Sequence, residues 1–363
     1  NSPTAINYPE RRPFFNRGVD AMDYQIDVFY SRSINNPSFA SKIINQGKKS
    51  RLYVLSAFDN ETPYLVPTKY ESFSGVGGES FSNVIRYQNF INNQTKIGLL
   101  ASNRLYEGDA YGNLYGFDAL INFSDVWKFR FELFLNNNKE PVADWIDSDK
   151  KYGDNSVQLD GEIINGNAIF ASISRNTETW RSFIEYKQLS DEFRSDLGFI
   201  STNNQKKYTL WHGYYKFPNK DLIKRYRISL RQDFDYDYSN NISRSNFQGY
   251  LGFLTVLNTD VLYNYEYNFI KSHLEFQFKD FINHWLRVES QPTDFLNFNF
   301  WYKWGKDIAY RIETPMLGMV NDIRLSSEIS INENFRIIPS INYSSIKKFN
   351  SDEYYFKGYI GRV

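Results

Sequence analysis

The stretch Asp322–Ile346 reads DIRLSSEISINENFRIIPSINYSSI, and its pattern decides the predicted fold. Apolar and polar residues alternate along two arms, with only Asn332, Glu333 and Asn334 between them. Successive strand side chains point to opposite faces, so the pattern predicts a β-hairpin with one apolar face, one polar face and a tight turn. The apolar face carries Ile323, Leu325, Ile329 and Ile331 from the first arm and Phe335, Ile337, Ile341 and Tyr343 from the second.

Such a hairpin fits two classes of all-β protein, and the choice between them decides the function. In a soluble sandwich or barrel, the apolar face packs inward as part of the core. In a membrane barrel the apolar face contacts lipid, and the polar face lines a lumen. The two classes therefore predict opposite surroundings for the same side chains.

Length and composition narrow the choice of class. No Pro/Ser-rich linker or charge run divides the 363 residues, which indicates one continuous β architecture. Lys+Arg and Asp+Glu both total 42, so the zero net charge gives no electrostatic reason to expect nucleic acid as a partner. The absence of cysteine excludes a disulfide framework and a thiolate metal site. No run of about 18 apolar residues occurs, whereas the strands of a membrane barrel need only ~9 to 11 alternating residues.

Alternation begins at Tyr24 and recurs along the chain, which predicts about 16 to 22 antiparallel strands and no capped helix. Long loops are predicted near residues 59–82 and 138–154. Long loops at one side and short turns at the other are typical of outer-membrane barrels, so we predict extracellular loops and periplasmic turns. The predicted turns are Asn92–Asn93, Ser124–Val126, Asn165–Asn167 and Asn332–Asn334.

Three features favour the membrane class: charge along one face of long strands, aromatic residues near strand ends, and a strand number that a closed barrel accommodates without free edges. We predict an all-β, antiparallel transmembrane β-barrel over residues 23–363, in the outer membrane. The side chains predicted to face lipid are Phe129, Phe131, Leu133, Leu135, Ile228, Leu230, Leu325 and Ile329. The side chains predicted to line the lumen are Arg130, Arg225, Arg227, Arg231, Asp233, Arg324 and Glu328.

Residues 1–22 precede the first predicted strand and have a composition that is poor for a strand. They contain three prolines, the basic pair Arg11–Arg12 and the aromatic pair Phe14–Phe15. A barrel of about 16 or more strands has a lumen that its own side chains do not fill. We expect the segment to fold back as a plug, with the Phe pair on the wall and the Arg pair bound to lumen carboxylates, or to be a linker to an upstream domain.

The N-terminal sequence resembles a signature of the DUF5916 family of Bacteroidota. The matching positions are Pro9, Glu10, Arg11, Arg12, Pro13, Phe14, Phe15, Tyr30, Ser31 and Arg32. The pairs Ile97-Gly98 and Asn103-Arg104 and the segment Asp196–Ile200 are similar to later family motifs, whereas Asn16-Arg17-Gly18 and Ser33 depart from the pattern. The resemblance implies an outer-membrane β-barrel, commonly preceded by a carbohydrate-binding-family-9-like β-sandwich that is not in this sequence.

Catalytic and metal-binding patterns are weak. The three histidines lie on different predicted strands without metal-ligand spacing, and the acidic groups are interpreted as solvated strand-end charge. The Gly-rich stretch lacks a following Lys-Ser/Thr, so it indicates a loop and not a phosphate cradle. We predict no enzyme activity, no cofactor and no metal. The residues considered are His212, His273, His284, Glu185, Asp191, Glu192, Asp233, Asp235, Asp237 and Gly75–Gly78.

Three functional classes stay open. The leading class is an outer-membrane barrel acting in transport, or as the membrane anchor and partner-binding subunit of a cell-envelope complex. The alternatives are a soluble or secreted β-rich protein that binds carbohydrate through exposed Trp and Tyr, and an outer-membrane barrel enzyme. The expected partners are outer-membrane lipid and other cell-envelope proteins, and not nucleic acid.

Overall fold

The structure is a computed structural model and describes residues 8–92, 94–218, 222–310, 312–332 and 334–363. Its helices are one short α-helix, α1 (Pro13–Asn16), and 3-10 turns at Val19–Met22 and Ser31–Ser33. Among the described residues, no helix combines the length and apolarity needed to span a bilayer.

Twenty-four β-strands make up the rest of the regular structure in the described parts of the chain. They are β1 (Pro37–Gln46), β2 (Ser50–Asp59), β3 (Thr62–Pro67), β4 (Ser72–Gly77), β5 (Ser80–Phe90), β6 (Lys96–Tyr106), β7 (Tyr111–Asn122), β8 (Trp127–Lys139), β9 (Val142–Ala143), β10 (Lys151–Tyr152), β11 (Asn155–Ser156), β12 (Leu159–Asp160), β13 (Ile163–Asn176), β14 (Trp180–Leu189), β15 (Gln205–Lys216), β16 (Ile223–Tyr236), β17 (Ile242–Thr255), β18 (Thr259–His273), β19 (Phe276–Thr293), β20 (Leu296–Ala309), β21 (Met316–Asn332), β22 (Phe335–Ile337), β23 (Ser340–Lys347) and β24 (Tyr354–Arg362).

Eighteen of these strands belong to one large antiparallel sheet, and the other six form the two-stranded pairs β3–β4, β9–β12 and β10–β11. The predicted fold class is confirmed, since the sheet is all-β and antiparallel and its strand number lies within the expected interval of about 16 to 22. Most strands pair with a neighbour in sequence, whereas β2 pairs with β5 and β8 with β13 across inserted segments.

The described chain divides into two compact units. Unit 1 comprises Asn1–Ser174, Glu185–Tyr208 and Tyr236–Asn241, and unit 2 comprises Arg175–Ile184, Thr209–Asp235 and Ile242–Val363. In unit 1 the strands β1, β2, β5, β6, β7 and β8 pair in that order, and β8 also pairs with β13. In unit 2 the strands from β17 to β24 pair successively, with β22 and β23 both on β21.

The hairpin predicted from Asp322–Ile346 is present in unit 2. Its register places Ile323 opposite Tyr343 and Leu325 opposite Ile341, so the apolar residues of the two arms share one face. Pro339 follows β22 and separates it from β23, because proline lacks the N–H that a sheet ladder needs. The predicted turn residue Glu333 lies outside the described residues.

Three predictions at the level of elements are wrong. Residues 24–30 alternate as predicted but form no strand, so residues 23–36 do not belong to the sheet, which begins at Pro37. The predicted turn at Asn165–Asn167 lies inside β13, where sheet pairing overrides the local Asn-Gly turn preference. The predicted loops near 59–82 and 138–154 contain short strands of their own, which are β3 and β4 in the first and β9 and β10 in the second. Turns do connect β5 to β6 and β7 to β8 as predicted, with Asn93 outside the described residues.

Candidate functional site

The outer face of unit 1 is apolar over most of the length of β5 to β8. Leu99 is 56% exposed, and its cross-strand neighbours Tyr87 and Phe117 are also exposed. On β8 the outward positions run from Trp127 to Leu135, nine residues that span about 26 Å along the strand. We call these outward residues the outer apolar belt: Ile85, Tyr87, Ile97, Leu99, Tyr115, Phe117, Ile121, Trp127, Phe129, Phe131, Leu133 and Leu135.

A row of polar side chains bounds the outer apolar belt on one side. Four asparagines stand at the same register on β5 to β8, and Ser56 on β2 continues the row. Ser56 donates to the first asparagine at 2.8 Å, and two further amide pairs are joined at 2.7 Å. Asparagine is disfavoured in strands, so strand propensity does not explain the row. The asparagine row consists of Asn83, Asn103, Asn113 and Asn137, with Asn165 bonded to its end.

The inner face of the same strands is covered by segments that are not part of the large sheet. Residues 13–34 bury Phe15, Ile26 and Ile34 in one cluster with wall residues such as Leu55 and Phe134. The segment between β14 and β15 adds further buried side chains to this cluster, which we call the inner core. Its members from these segments are Phe15, Ala21, Ile26, Val28, Ile34, Phe193, Leu197 and Ile200. The N-terminal segment therefore packs on the inner face of the sheet in unit 1, with Phe15 in the shared cluster. Residues 1–7 of the predicted segment lie outside the described residues, and its role as a plug of a lumen stays a prediction.

Buried charges on the wall fix the N-terminal segment in place. Glu132 accepts hydrogen bonds from the backbone N–H groups of Gln25 and Ile26, at 3.0 and 3.3 Å. Arg86 donates to the Ala21 carbonyl at 3.2 Å and binds Asp118 through two hydrogen bonds. Each charged group thus satisfies backbone groups that would otherwise be buried without a partner.

Arg104 is fully buried and joins the two inserted segments. It donates to the Ser33 carbonyl at 2.7 Å and to the Asp196 carbonyl at 3.0 Å. The Asp196 carboxylate in turn accepts hydrogen bonds from Tyr106 and Asn138 on the wall. The stretches near positions 103–104 and 196–200 therefore meet in space, although 92 positions separate Arg104 from Asp196.

The N-terminal motif residues also form one network. Glu10 accepts hydrogen bonds from Arg12 and from the Ser31 hydroxyl, at 2.7 Å each, and Arg12 lies over the Phe15 ring at 4.1 Å. Tyr30 exchanges hydrogen bonds with the backbone of residue 8, and Arg32 reaches the Pro9 carbonyl at 3.5 Å. Partial burial acts to raise the pKa of Glu10, but the hydrogen bonds from Arg12 and Ser31 prevail and lower it to about 2.

The Arg and Phe pairs of the N-terminal segment do not make the contacts that were predicted for them. Arg12 binds Glu10 of its own segment, not a lumen carboxylate, and Arg11 is exposed. Phe14 is 40% exposed and lies under the Lys42 ammonium group instead of packing fully on the wall. A carboxylate two positions away in the chain costs less entropy to recruit than one on a distant strand, which explains the local pair.

A second core lies around the segment 140–162. Arg194 is buried and binds Glu140 at 2.7 Å, Tyr64 at 2.8 Å and Tyr152 at 2.7 Å. Burial raises the pKa of Glu140, Arg194 opposes this, and two neighbouring carboxylates reinforce it. Tyr64 and Tyr106 pack against Trp145, whose indole ring lies so close to Gly77 that a Cβ there would approach its Nε1 to 2.2 Å.

Unit 2 has the same arrangement of faces. On β18 the exposed or half-buried positions are Tyr263, Tyr265, Tyr267 and Phe269, whereas the alternate positions Leu262, Asn264 and Asn268 are buried. The outward aromatic side chains continue across the sheet, because Tyr265 pairs with His284 and His284 with Trp304. His284 stacks on Trp304 with 5.2 Å between ring centroids.

The predicted lumen residues of β16 lie on its less exposed face. Arg225 and Arg227 both bind Asp260, at 3.1 and 3.3 Å, and Arg231 binds Asp233 at 2.8 Å. The alternate residues Tyr226, Ile228 and Leu230 are exposed. In unit 1, Arg130 likewise lies on the inner face and binds Glu132 at 2.8 Å. The lining of a lumen by these residues stays a prediction.

Arg324 and Glu328 on β21 form more exposed pairs. Arg324 binds Asp322 at 3.1 Å and lies over the Trp301 ring, while Glu328 accepts from Arg336 at 2.9 Å. Exposed pairs of this kind contribute little to stability.

The buried polar groups of the inner face of unit 2 include four asparagine amides. Asn246, Asn264, Asn268 and Asn283 are at most 1% exposed, and each has a side-chain atom without a partner among the described residues. Buried amides normally form hydrogen bonds with protein, water or a ligand. The side chains of these four asparagines can therefore form further hydrogen bonds.

The sequence analysis missed the charged residues that hold the N-terminal segment, because their partners are distant in sequence. One local signal existed. Gly98 on β6 stands opposite both Gln88 and Asp118, and without a side chain there Arg86 crosses β6 to reach Asp118. A Cβ at Gly98 would lie 2.2 Å from Arg86 Nη1. A glycine inside a strand pattern indicates such a close approach.

No family model matches the chain, and no curated protein matches it in sequence. Two similar solved structures are the outer-membrane porins OccAB3 of Acinetobacter baumannii and OpdQ of Pseudomonas aeruginosa. OccAB3 is 9% identical at a TM-score of 0.40, covering 87% of this chain and 94% of its own. OpdQ is 13% identical at 0.38, covering 86% of this chain and 98% of its own. Likeness at this level carries no argument about function, which rests on the faces of the sheet described above.

Proposed function

We propose that this chain is an outer-membrane β-barrel protein, in which the large sheet closes, the outer apolar belt contacts lipid and the polar face encloses a lumen. The observation that carries the proposal is the inverted arrangement of the faces. In unit 1, Arg86, Arg104 and Glu132 are at most 1% exposed, whereas Leu99 and Leu135 on the opposite face are 56% and 48% exposed. A contiguous apolar surface of this kind on a soluble protein would promote aggregation, but in a bilayer it lowers the free energy.

Within the membrane, the function that we propose is transport of polar solutes. The support comes from unit 2, whose inner face carries paired charges such as Arg227–Asp260 and buried amides such as Asn264 and Asn283 with free hydrogen-bonding capacity. Groups of this kind replace the hydration shell of a polar solute. The solute itself is unassigned.

A second candidate function is a membrane anchor and partner-binding subunit of a cell-envelope complex. It is favoured by the inner core of unit 1, where residues 13–34 are tightly packed and held by Glu132 and Arg86. Outer-membrane lipid is a partner in both functions, and other cell-envelope proteins are partners in the second. Membership of the DUF5916 family stays a proposal, supported by the contacts that join its motif residues Glu10, Arg12 and Ser31.

Localisation is tested by fractionating cells that produce the chain with its export signal. We expect the protein in the outer-membrane fraction, soluble only with detergent and faster on a gel before boiling than after. A chain that stays in the aqueous fraction, with no change of mobility on boiling, contradicts the barrel.

Transport is tested by conductance in planar bilayers. The charged face of β16 offers a matched pair of variants, because Arg227 lies on the inner face and Lys224 on the outer face of the same strand. We expect Arg227→Ser to shift the cation-to-anion selectivity and Lys224→Ser to leave it unchanged. A correctly inserted protein without conductance supports the anchor function instead, and equal shifts in both variants contradict a lumen at Arg227.

A further inference from the structure

Three carboxylates meet where the segment 140–162 leaves and rejoins the large sheet. Glu140 directly follows β8, Asp160 ends β12, and Glu162 directly precedes β13. The Glu140 N–H donates to the Glu162 carbonyl at 3.0 Å, and Asp160 stands opposite Val142 in the β9–β12 pair. Both ends of the segment are therefore held side by side, which fixes the three acidic side chains relative to one another.

The carboxylate oxygens are spaced as the ligands of one cation. One oxygen from each of Glu140, Asp160 and Glu162 lies within 4.8 Å of the others. Calcium binds oxygen ligands at about 2.3–2.6 Å, so two oxygens on the same ion are separated by at most about twice that distance. The set contains neither histidine nor cysteine, and carboxylates alone favour a hard cation such as Ca²⁺ over Zn²⁺ or Cu²⁺.

An unpartnered oxygen of a buried side chain points to a ligand at this place. Glu140 is 1% exposed, and Arg194 binds its Oε1 at 2.7 Å. Its other oxygen, Oε2, is buried and has no hydrogen-bond partner among the described residues. Arg194 uses its remaining contacts on Tyr64 and Tyr152, so it does not also serve Oε2. A buried carboxylate oxygen without a partner costs free energy that a bound cation would recover.

The charge balance of the cluster also favours a cation. Three carboxylates face the buried Arg194 guanidinium group, and the Lys151 charge also acts on Glu162, which still leaves an excess of negative charge. Ser156 donates its N–H to Glu162 and its hydroxyl to Asp160, at 3.1 Å each. Asp160 is exposed, so an ion can reach the cluster from solvent.

We propose that Glu140, Asp160 and Glu162 form a binding site for a divalent cation of the calcium class, which joins the two ends of the segment 140–162. Backbone carbonyls or water complete its coordination. Bound Ca²⁺ then holds the segment against β8 and β13 and stabilises the folded chain, because a ligand bound only by the native state shifts the unfolding equilibrium. The site does not depend on the membrane function, since it rests only on residues of unit 1.

The test is a titration of the full chain in detergent with calcium chloride, after chelation of bound ions. Calorimetry and the melting temperature report binding. Asp160→Asn removes one exposed ligand, and Asp147→Asn is its matched control, because it makes the same charge change at an exposed position of the same segment. We expect Ca²⁺ to raise the melting temperature of the wild type and of Asp147→Asn, and Asp160→Asn to bind at least about tenfold more weakly.

Two results would overturn the site. The first is a wild-type chain that shows neither heat of binding nor a shift in melting temperature up to millimolar calcium. The second is an Asp160→Asn variant that responds to calcium as strongly as the wild type. If Asp160→Asn fails to fold, Glu162→Gln replaces it under the same criteria. If magnesium raises the melting temperature as much as calcium does, the site binds divalent cations without selectivity for calcium.

Discussion

A single substitution in the outer apolar belt distinguishes a membrane barrel from a soluble β-protein. Leu99 lies midway along the outward part of β6, four residues from Thr95 at the turn and four from Asn103 in the asparagine row. Each interval is about 13 Å along the strand, too far for an arginine at position 99 to reach the polar boundary with its charge. Leu99→Arg should therefore leave a cation among lipid chains.

The expected magnitude follows from this depth. Arginine near the bilayer midplane of an outer-membrane barrel costs about 2–4 kcal/mol, and near the interface about 0–1 kcal/mol. Leu105 is the matched control, because it lies on the same strand and face, is 46% exposed compared with 56% for Leu99, and stands beyond Asn103. We expect Leu99→Arg to lose about 2 kcal/mol or more and Leu105→Arg less than about 1 kcal/mol.

The assay is reversible unfolding by guanidinium in lipid vesicles, followed by tryptophan fluorescence, with assembly into the outer membrane as the second readout. For a soluble protein the two leucines are equivalent exposed positions, where substitutions change stability by only about 0.5 kcal/mol. Equal losses for Leu99→Arg and Leu105→Arg would therefore refute the membrane position of the outer apolar belt.

The remaining predictions concern the contacts that hold the N-terminal segment. Since the pKa of Glu10 is lowered from its ordinary 4.5 to about 2, its contribution to stability should be present above pH 4.5 and be lost as the pH falls toward 2. The variant Glu10→Gln should therefore show a smaller loss of stability over this pH range. Arg86→Met should cost about 3–5 kcal/mol in chemical unfolding, because Asp118 is left buried without its partner, and the double variant with Asp118→Leu should recover much of the loss. Gly98→Ala should displace the Arg86 side chain and lower the melting temperature, whereas Gly47→Ala, whose Cβ would meet nothing closer than 3.5 Å, should not. An unchanged melting temperature for Gly98→Ala, or an undiminished loss of stability at low pH in Glu10→Gln, would contradict the respective contacts.

The sequence by itself determined which residues of an alternating segment share a face. Alternation is a property of neighbouring residues, since the backbone turns each successive side chain to the opposite face. The hairpin from Asp322 to Ile346, the outward positions of β8 and the paired faces of β16 were therefore readable before any contact was known.

Only the tertiary structure decided which alternating segments enter the sheet. Residues 24–30 alternate as well as many strands do, and Ile26 and Val28 are buried as the pattern predicts, yet they pack on the inner face of the sheet instead of pairing within it. Pairing needs a free edge at the right place, which is a property of distant parts of the chain. For the same reason the Asn165–Asn167 sequence joined β13 despite its local turn preference.

The tertiary structure also decided which face of the sheet is buried and which contacts hold the N-terminal segment. Periodicity gives two faces but no label for inside and outside, so a sandwich and a membrane barrel were both compatible with it. Burial distinguishes the two faces. Arg86 and Glu132 are buried because the N-terminal segment covers them and hydrogen-bonds to them, whereas Leu99 on the opposite face is exposed. Such contacts join residues 65 to 107 positions apart. The sequence does not reveal them, because the identity of a charged residue does not specify which distant backbone group will be its hydrogen-bond partner.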